Sequence, residues 1–258
     1  MPSKIIAISN QKGGVGKTTT AVSIATELAI NNYKTLLIDC DPQSNSTSSF
    51  EIEKLPNQSI YEVLVNQENL QNSICSTSIN KLFISPSNQN LSAAEIELVD
   101  ITDRELILKR ALNQIKEDFD YIIIDTPPAL GILTINCLSA CNWILIPLQV
   151  EYFALEGLNN LMQTIELIRN KINDQIEILG IVLTMFDKRN KLSFEIEDEI
   201  KKYFEPLLLG HIPRSVRIAE APSHGMPIQI YDKYSPGAQA YSIITNKLIE
   251  KIELTENN

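Results

Sequence analysis

The sequence predicts an α/β fold, a mostly parallel twisted sheet with helices on both faces. Three observations carry that prediction. Short apolar runs recur along the chain, among them Ile5-Ile6-Ala7-Ile8, Leu36-Leu37-Ile38 and Tyr121-Ile122-Ile123-Ile124. They are separated by longer stretches of helical spacing rather than by tight hairpin turns. They are also continuously apolar instead of alternating, as strands covered on both faces must be. With 258 residues, 44% of them hydrophobic, the chain has the size of one such domain, residues 1–258, with a substantial core.

In chain order, the first strand begins by about Lys4, which leaves no room for a signal peptide or a separate DNA-reading domain. The stretch Gln11 to Thr20 reads QKGGVGKTTT and opens a helix from about Thr18 to Ile30, closed by Asn31-Asn32. Lys34 to Asp39 reads as a second buried strand, which Pro42 stops, and Leu82 to Ser85 as a short one. Helical spacing over Asp103 to Lys116 precedes a strand at Tyr121 to Ile124. Leu130 to Leu148 is the most apolar long stretch, but Thr134, Asn136, Ser139 and Asn142 interrupt it. A helix followed by a buried strand, Trp143 to Pro147, explains it better than a membrane span. A long amphipathic helix from Phe153 to Asn170, a strand from Ile178 to Leu183 and a helix from Phe194 to Phe204 come next. Ala238 to Ile252 closes the chain as a helix, with a flexible tail expected over about 254–258. The Asn/Gln/Ser-rich middle, Glu51 to Leu98, is otherwise unassigned.

Composition narrows the functional classes. The four cysteines, Cys40, Cys75, Cys137 and Cys141, show no metal-binding spacing; Cys137 and Cys141, four apart in an apolar helical stretch, read as buried structural thiols, and a reducing cytoplasm fits best. A net charge of −10 argues against nucleic acid at face value. The charge is uneven, however: between Pro206 and Lys247 four basic residues face only two acidic ones. A local basic face on an acidic protein can still meet a phosphate backbone.

The glycine-rich stretch carries the chemistry. A strand, a glycine loop and a helix form the context of a phosphate-binding P-loop. Gly13, Gly14 and Gly16 let the backbone turn and bring its N–H groups, from Gly13 through Val15 to Thr19, against an anion. The helix adds its positive N-terminal end. Lys17 reaches β- and γ-phosphates and Thr18 places a hydroxyl on Mg²⁺. Two further motifs end strands in aspartate, Asp39-Cys40-Asp41-Pro42-Gln43 and Ile124-Asp125-Thr126-Pro127-Pro128. A carboxylate there orients an attacking water or meets the metal shell.

The loop departs from the usual G-x-x-x-x-G-K-[ST] pattern, with Gln11 in place of the first glycine and a second lysine, Lys12, before Gly13. That double-lysine form resembles the deviant Walker A motif of the ParA/MinD group of P-loop ATPases. The strings D-x-D-P-Q and D-T-P-P-A-L-G, then Thr184-Met185-Phe186-Asp187 and Ile212-Pro213-Arg214-Ser215, look like segments of Soj-like chromosome-partition ATPases. The resemblance spans Lys4 to about Leu248. It implies ATP/ADP and Mg²⁺ as cofactors, catalysis by Lys12, Lys17 and Asp41, and a switch loop at Gln43 to Thr47. Lys12 would act across a nucleotide-sandwiched homodimer, and Asp41 would position the hydrolytic water. Thr18 and Asp125, with Asp39 in support, would stand on the metal side. Met185 and Pro213 would border the adenine, and Arg189, Arg214, Arg217, Lys233 and Lys247 would form a DNA face. The implied partners are non-specific double-stranded DNA and a ParB-type centromere-binding protein, at the nucleoid in the cytoplasm. A MinD-like membrane switch is the alternative, but the acidic C-terminal end, Glu250 to Asn258, is a poor lipid anchor. No cysteine lies between Asp125 and Leu133 for an iron–sulfur reductase, and no tyrosine cluster follows Tyr241 for a tyrosine kinase. A scaffold that uses ATP only to assemble stays open.

Overall fold

The computed structural model describes residues 2–52 and 57–256. The chain runs β1 (Lys4–Ile8), α1 (Lys17–Ile30), β2 (Thr35–Asp39), α2 (Asn45–Ser48) and α3 (Ile60–Leu64). It continues through β3 (Cys75–Ser76), β4 (Leu82–Ser85), α4 (Ala94–Glu97), α5 (Ile107–Asn113) and β5 (Tyr121–Asp125). Next come α6 (Ile132–Ala140), β6 (Trp143–Gln149), α7 (Ala154–Lys171), β7 (Glu177–Phe186) and α8 (Lys191–Phe204). The last elements are β8 (Leu208–Pro213), α9 (Val216–Glu220), α10 (Ile228–Tyr231) and α11 (Pro236–Glu256).

Among the described residues eight strands form one sheet in the order β3-β4-β2-β5-β1-β6-β7-β8, parallel throughout except for the β3–β4 pair. The order reverses at β1, between β5 and β6, so the glycine loop leaves the sheet at its topological switch point. The period-two alternation of a strand sorts the apolar runs into two cores. In β5, Ile122 and Ile124 pack with α5, α6 and α7 on one face. Tyr121 and Ile123 pack with α1 and α11 on the other. Both faces are therefore dry, and that is why the run YIII shows no polar alternation.

The strands expected from the sequence end within three residues of the observed ones, β4 at the same residues, while β3 was not expected. The helix expected over 103–116 is a 3₁₀ turn, Arg104–Leu106, leading into α5. Asp103 is left-handed (φ 53°), and Asn136 of α6 holds the junction by accepting from Leu108 N (3.1 Å) and donating to Arg104 O (2.8 Å). β8 extends the motif around Pro213 back to Leu208 as an edge strand. Its mixed pattern, with Gly210 at φ 151°, carries little strand signal. Lys247 and Lys251 of α11 donate to Leu209 O and Pro206 O (2.8 Å each), covering carbonyls along that edge. α11 runs on to Glu256, which pairs with Lys4 at 3.1 Å, and residues 257–258 of the expected tail lie outside the described residues.

Ile123, fully buried in the middle of the sheet, tests the load on this core. Ile123→Ala is expected to cost about 3 kcal/mol. It should lower the urea midpoint without changing the m-value, as read from equilibrium denaturation.

A candidate nucleotide site at the strand ends

The glycine loop is shaped by hydrogen bonds before any ligand arrives. Ser9 N donates to Leu145 O (3.1 Å) and Asn10 Nδ2 to Pro147 O (2.8 Å), which ties the loop entrance to β6. Asn10 Oδ1 then accepts from Lys12 N (3.0 Å) and turns the chain. Thr184 of β7 donates to Val15 O (2.8 Å), bracing the loop from a third strand. Gly14 (φ 75°) and Gly16 (φ 89°) are left-handed, the conformation in which a Cβ is strained. Gly16 is also the N-cap of α1 and supplies no side chain to it. The first-turn N–H groups of a 14-residue helix are thus left for an anion.

Lys17 is only 6% exposed, and its ammonium donates to Lys12 O (3.0 Å) across the mouth of its own loop. Burial lowers its pKa, while the nearby carboxylates of Asp125 and Asp41 oppose that shift. Lys12 points the other way, to the rim, where it pairs with Glu151 at the end of β6.

Three aspartates converge on the same end of the sheet, all buried. Asp39 Oδ2 accepts from Thr47 N (2.8 Å) and Thr47 Oγ1 (2.7 Å), and its Oδ1 from Asp41 N (3.2 Å). It therefore fastens the one-turn helix α2, which occupies most of the expected switch loop. Asp125 accepts from Ser46 Oγ on its Oδ2 (2.8 Å), while its Oδ1 is buried with no hydrogen-bond partner. Burial and the neighbouring Asp39 push the Asp125 carboxyl up to about 8, opposed by the Ser46 hydrogen bond and the nearby Thr18 hydroxyl. Burial likewise pushes Asp39 up to about 6, against its bonds from Thr47. An orphaned carboxylate oxygen beside a threonine hydroxyl is a hard, oxygen-only donor set of the kind Mg²⁺ takes. Asp41 Oδ1 accepts from Gln43 N (2.9 Å) at the start of the same loop.

Met185 and Pro213 stand at the ends of the paired strands β7 and β8, and Pro213 also lines the groove beside β8. Phe186 is in register with Pro213, and Met185 is left-handed (φ 54°) directly after the Thr184 that braces the phosphate loop. The five basic candidates divide. Arg189, Arg214 and Lys247 line one groove of about 870 Å³ beside β8, together with Lys188 and His211. Arg189 is held there by Asp187 (3.0 and 2.9 Å), whose carboxyl drops to about 2 under those bonds. Arg217 instead pairs with Glu220 (3.3 Å) and Asp232 (3.8 Å), and Lys233 lies over the Tyr234 ring (4.8 Å). Neither lines the groove.

Sequence reasoning missed Asn10. It placed Ser46 and Thr47 in the switch loop and Thr184 in a strand-end string, but gave none of them the role of holding the loop or the carboxylates. Among the described residues no helix is long and apolar enough to cross a membrane, and no group of three or more His, Cys, Asp or Glu is arranged to hold a metal ion by itself.

This geometry coincides with known relatives. The family described as AAA domain matches residues 3–178. The sporulation initiation inhibitor protein Soj of Bacillus subtilis is 48% identical over 240 residues, 92% of this chain and 95% of its own. The chromosome-partitioning ATPase Soj of Treponema pallidum is 42% identical over 249 residues, 96% of this chain and 98% of its own. A structure from Mycobacterium smegmatis, described as cobyrinic acid a,c-diamide synthase with bound ADP and magnesium, superposes with a TM-score of 0.85. It is 33% identical and covers 97% of this chain and 96% of its own.

The raised carboxyls make the ligand-free fold pH-sensitive. Asp39 and Asp125 hold protons in the folded state that the unfolded chain releases near its ordinary carboxylate value of 3.8. Their contribution is fully present below that value and is lost as pH rises through about 6 and about 8. Without nucleotide or magnesium, the melting temperature should therefore fall across this window, and Asp125→Asn should flatten the fall. Thermal melts at a series of pH values check it. An equal slope in the variant would rule out Asp125 as its source.

Proposed function

Because the chain belongs to the Soj/ParA family of chromosome-partitioning ATPases, we propose that it is a Mg-ATP-dependent switch. In the ATP state it dimerises and binds DNA without sequence preference, and a ParB-type partner stimulates hydrolysis and resets it. The observation that carries this reading is the uncapped first turn of α1 facing buried Asp125, Asp39 and Asp41. An anion completes the first and a cation the second. The matching M. smegmatis structure, with ADP and magnesium, supports that pair of ligands. The diamide synthase activity in that protein's description is not carried over, since identity to the partition proteins is higher.

In this reading the loop amides and Lys17 hold the phosphates, and Met185 and Pro213 flank the base. Thr18 and Asp125 hold Mg²⁺, with Asp39 fixing the switch helix α2 behind them. The ion supplies charge neutralisation at the γ-phosphate. Asp41 orients the attacking water, so no covalent intermediate forms. Lys12 leaves Glu151, with which it makes only a rim ion pair, and reaches the nucleotide of a second copy. Arg189, Arg214 and Lys247 face the DNA phosphates from the groove beside β8, and two copies double a modest patch. Arg217 and Lys233 contribute less, being held away from that groove.

Two measurements test the cycle. Asp41→Ala should bind ATP as wild type does yet hydrolyse it ~10²-fold or more slowly, whereas Lys17→Ala should lose nucleotide binding. With ATP and a random-sequence duplex, log K should fall with log[salt] at a slope of about −5, from some six phosphate contacts per dimer. Arg214→Ala should make that slope shallower by about 2. A demonstrable ATP dimer that does not bind DNA at low salt would sink the DNA-binding half of the proposal.

A further inference from the structure

The segment between β6 and α7, Val150 to Phe153, lies at the end of the sheet that carries the phosphate loop, and it is tied to that loop. Glu151 holds Lys12, and Gln11 Nε2 donates to Thr164 Oγ1 of α7 (2.9 Å). Asn10 anchors to β6 two residues before the strand ends. Beside Glu151 stand two aromatic side chains with little cover. Tyr152 is 81% and Phe153 65% exposed, their rings edge-to-face at 5.0 Å. An aromatic pair left in water at the rim of a ligand site is an unpaired contact surface rather than a packing remnant.

Charge identifies the occupant. The phosphate loop is filled by its own Lys17, so the Lys12 ammonium is not needed in cis. Its side chain is 51% exposed and projects from the same rim as the two rings. That cation complements the phosphates of a nucleotide held by another molecule. A two-fold pairing sets each rim on the other, because an isologous interface uses the same patch twice. Each copy carries a net charge of −10, so the apolar anchor and the rim cation must outweigh a general repulsion.

We propose that Tyr152 and Phe153 are the anchoring residues of the ATP-held dimer, seating a second copy of this chain so that Lys12 can leave Glu151 for the partner's phosphates. The inference rests on the dimerising-ATPase reading and names the surface that reading requires. Central aromatic anchors dominate such interfaces, and truncating them typically weakens association about 30-fold or more.

The test uses the full chain in the Asp41→Ala background with saturating Mg-ATP, followed by sedimentation velocity over a concentration series. Tyr152→Ser/Phe153→Ser should raise the dimer dissociation constant about 30-fold or more. Binding of a fluorescent ADP to its monomer and its melting temperature should stay at parental values. Tyr152→Phe/Phe153→Leu, which keeps the surface apolar, should still dimerise. If the serine variant dimerises like its parent, the anchors are wrong while the switch reading stands. They are equally wrong if dimerisation is intact and only stimulation by a partner protein is lost, since the surface then belongs to that partner. If the Asp41→Ala parent stays monomeric with ATP, the dimer reading itself falls and takes this inference with it.

Discussion

The site depends on one electrostatic constraint: Asp39 and Asp125 are both buried, in register on adjacent strands, at the end of the sheet where the glycine loop opens. Two carboxylates out of water and close together cannot both carry charge without compensation. Asp39 obtains its compensation from Thr47 and the Asp41 amide. Asp125 obtains only part of its own from Ser46, and one oxygen is left bare. In the proposed reading a cation held by Asp125 and Thr18, at the start of α1, meets that shortfall. The need for an anion next door has the same origin, because a helix that begins on a left-handed glycine cannot cap itself.

Around this centre the fold works mainly as a positioning device. The loop is pinned from β6 by Asn10 and from β7 by Thr184, so its glycines turn within a frame set by two parallel strands. The helix α2 is only one turn long and holds by side chains that bond the two carboxylates. Movement of α2 and loss of those bonds would therefore be one event, which in the proposed reading is how the γ-phosphate is sensed.

The basic groove follows a different logic. Two of its cations are engaged, Arg189 by Asp187 and Lys247 by a β8 carbonyl. Exposed pairs of this kind contribute little to stability and exchange readily for a phosphate. Lys247 shows two duties meeting in one side chain, since it guards the open edge of the sheet and faces the groove. In the proposed reading, a basic trough on an acidic chain favours a polyanion there.

Much of this was legible before any coordinates. Continuous apolar runs require strands buried on both faces, and strands separated by helices require a parallel sheet. Glycines with two lysines between strand and helix require a phosphate loop, because few other uses call for that backbone and that charge together. Asp39, Asp41 and Asp125 could be placed at strand ends for the same reason. Distance along the chain hides everything else. Which oxygen of Asp125 is bare, that Thr184 braces Val15, that Lys12 rests on Glu151, and that Arg217 and Lys233 fall outside the groove all rest on contacts between segments far apart in sequence. Only the end of β8 was legible, because its mixed pattern around Gly210 carries little strand signal, and the one-turn helices are too short for a period and are held by their neighbours. Local pattern determines the elements and the chemistry they can carry. Only packing decides which polar atom meets which, because a hydrogen bond is made or lost within an ångström that no sequence spacing records.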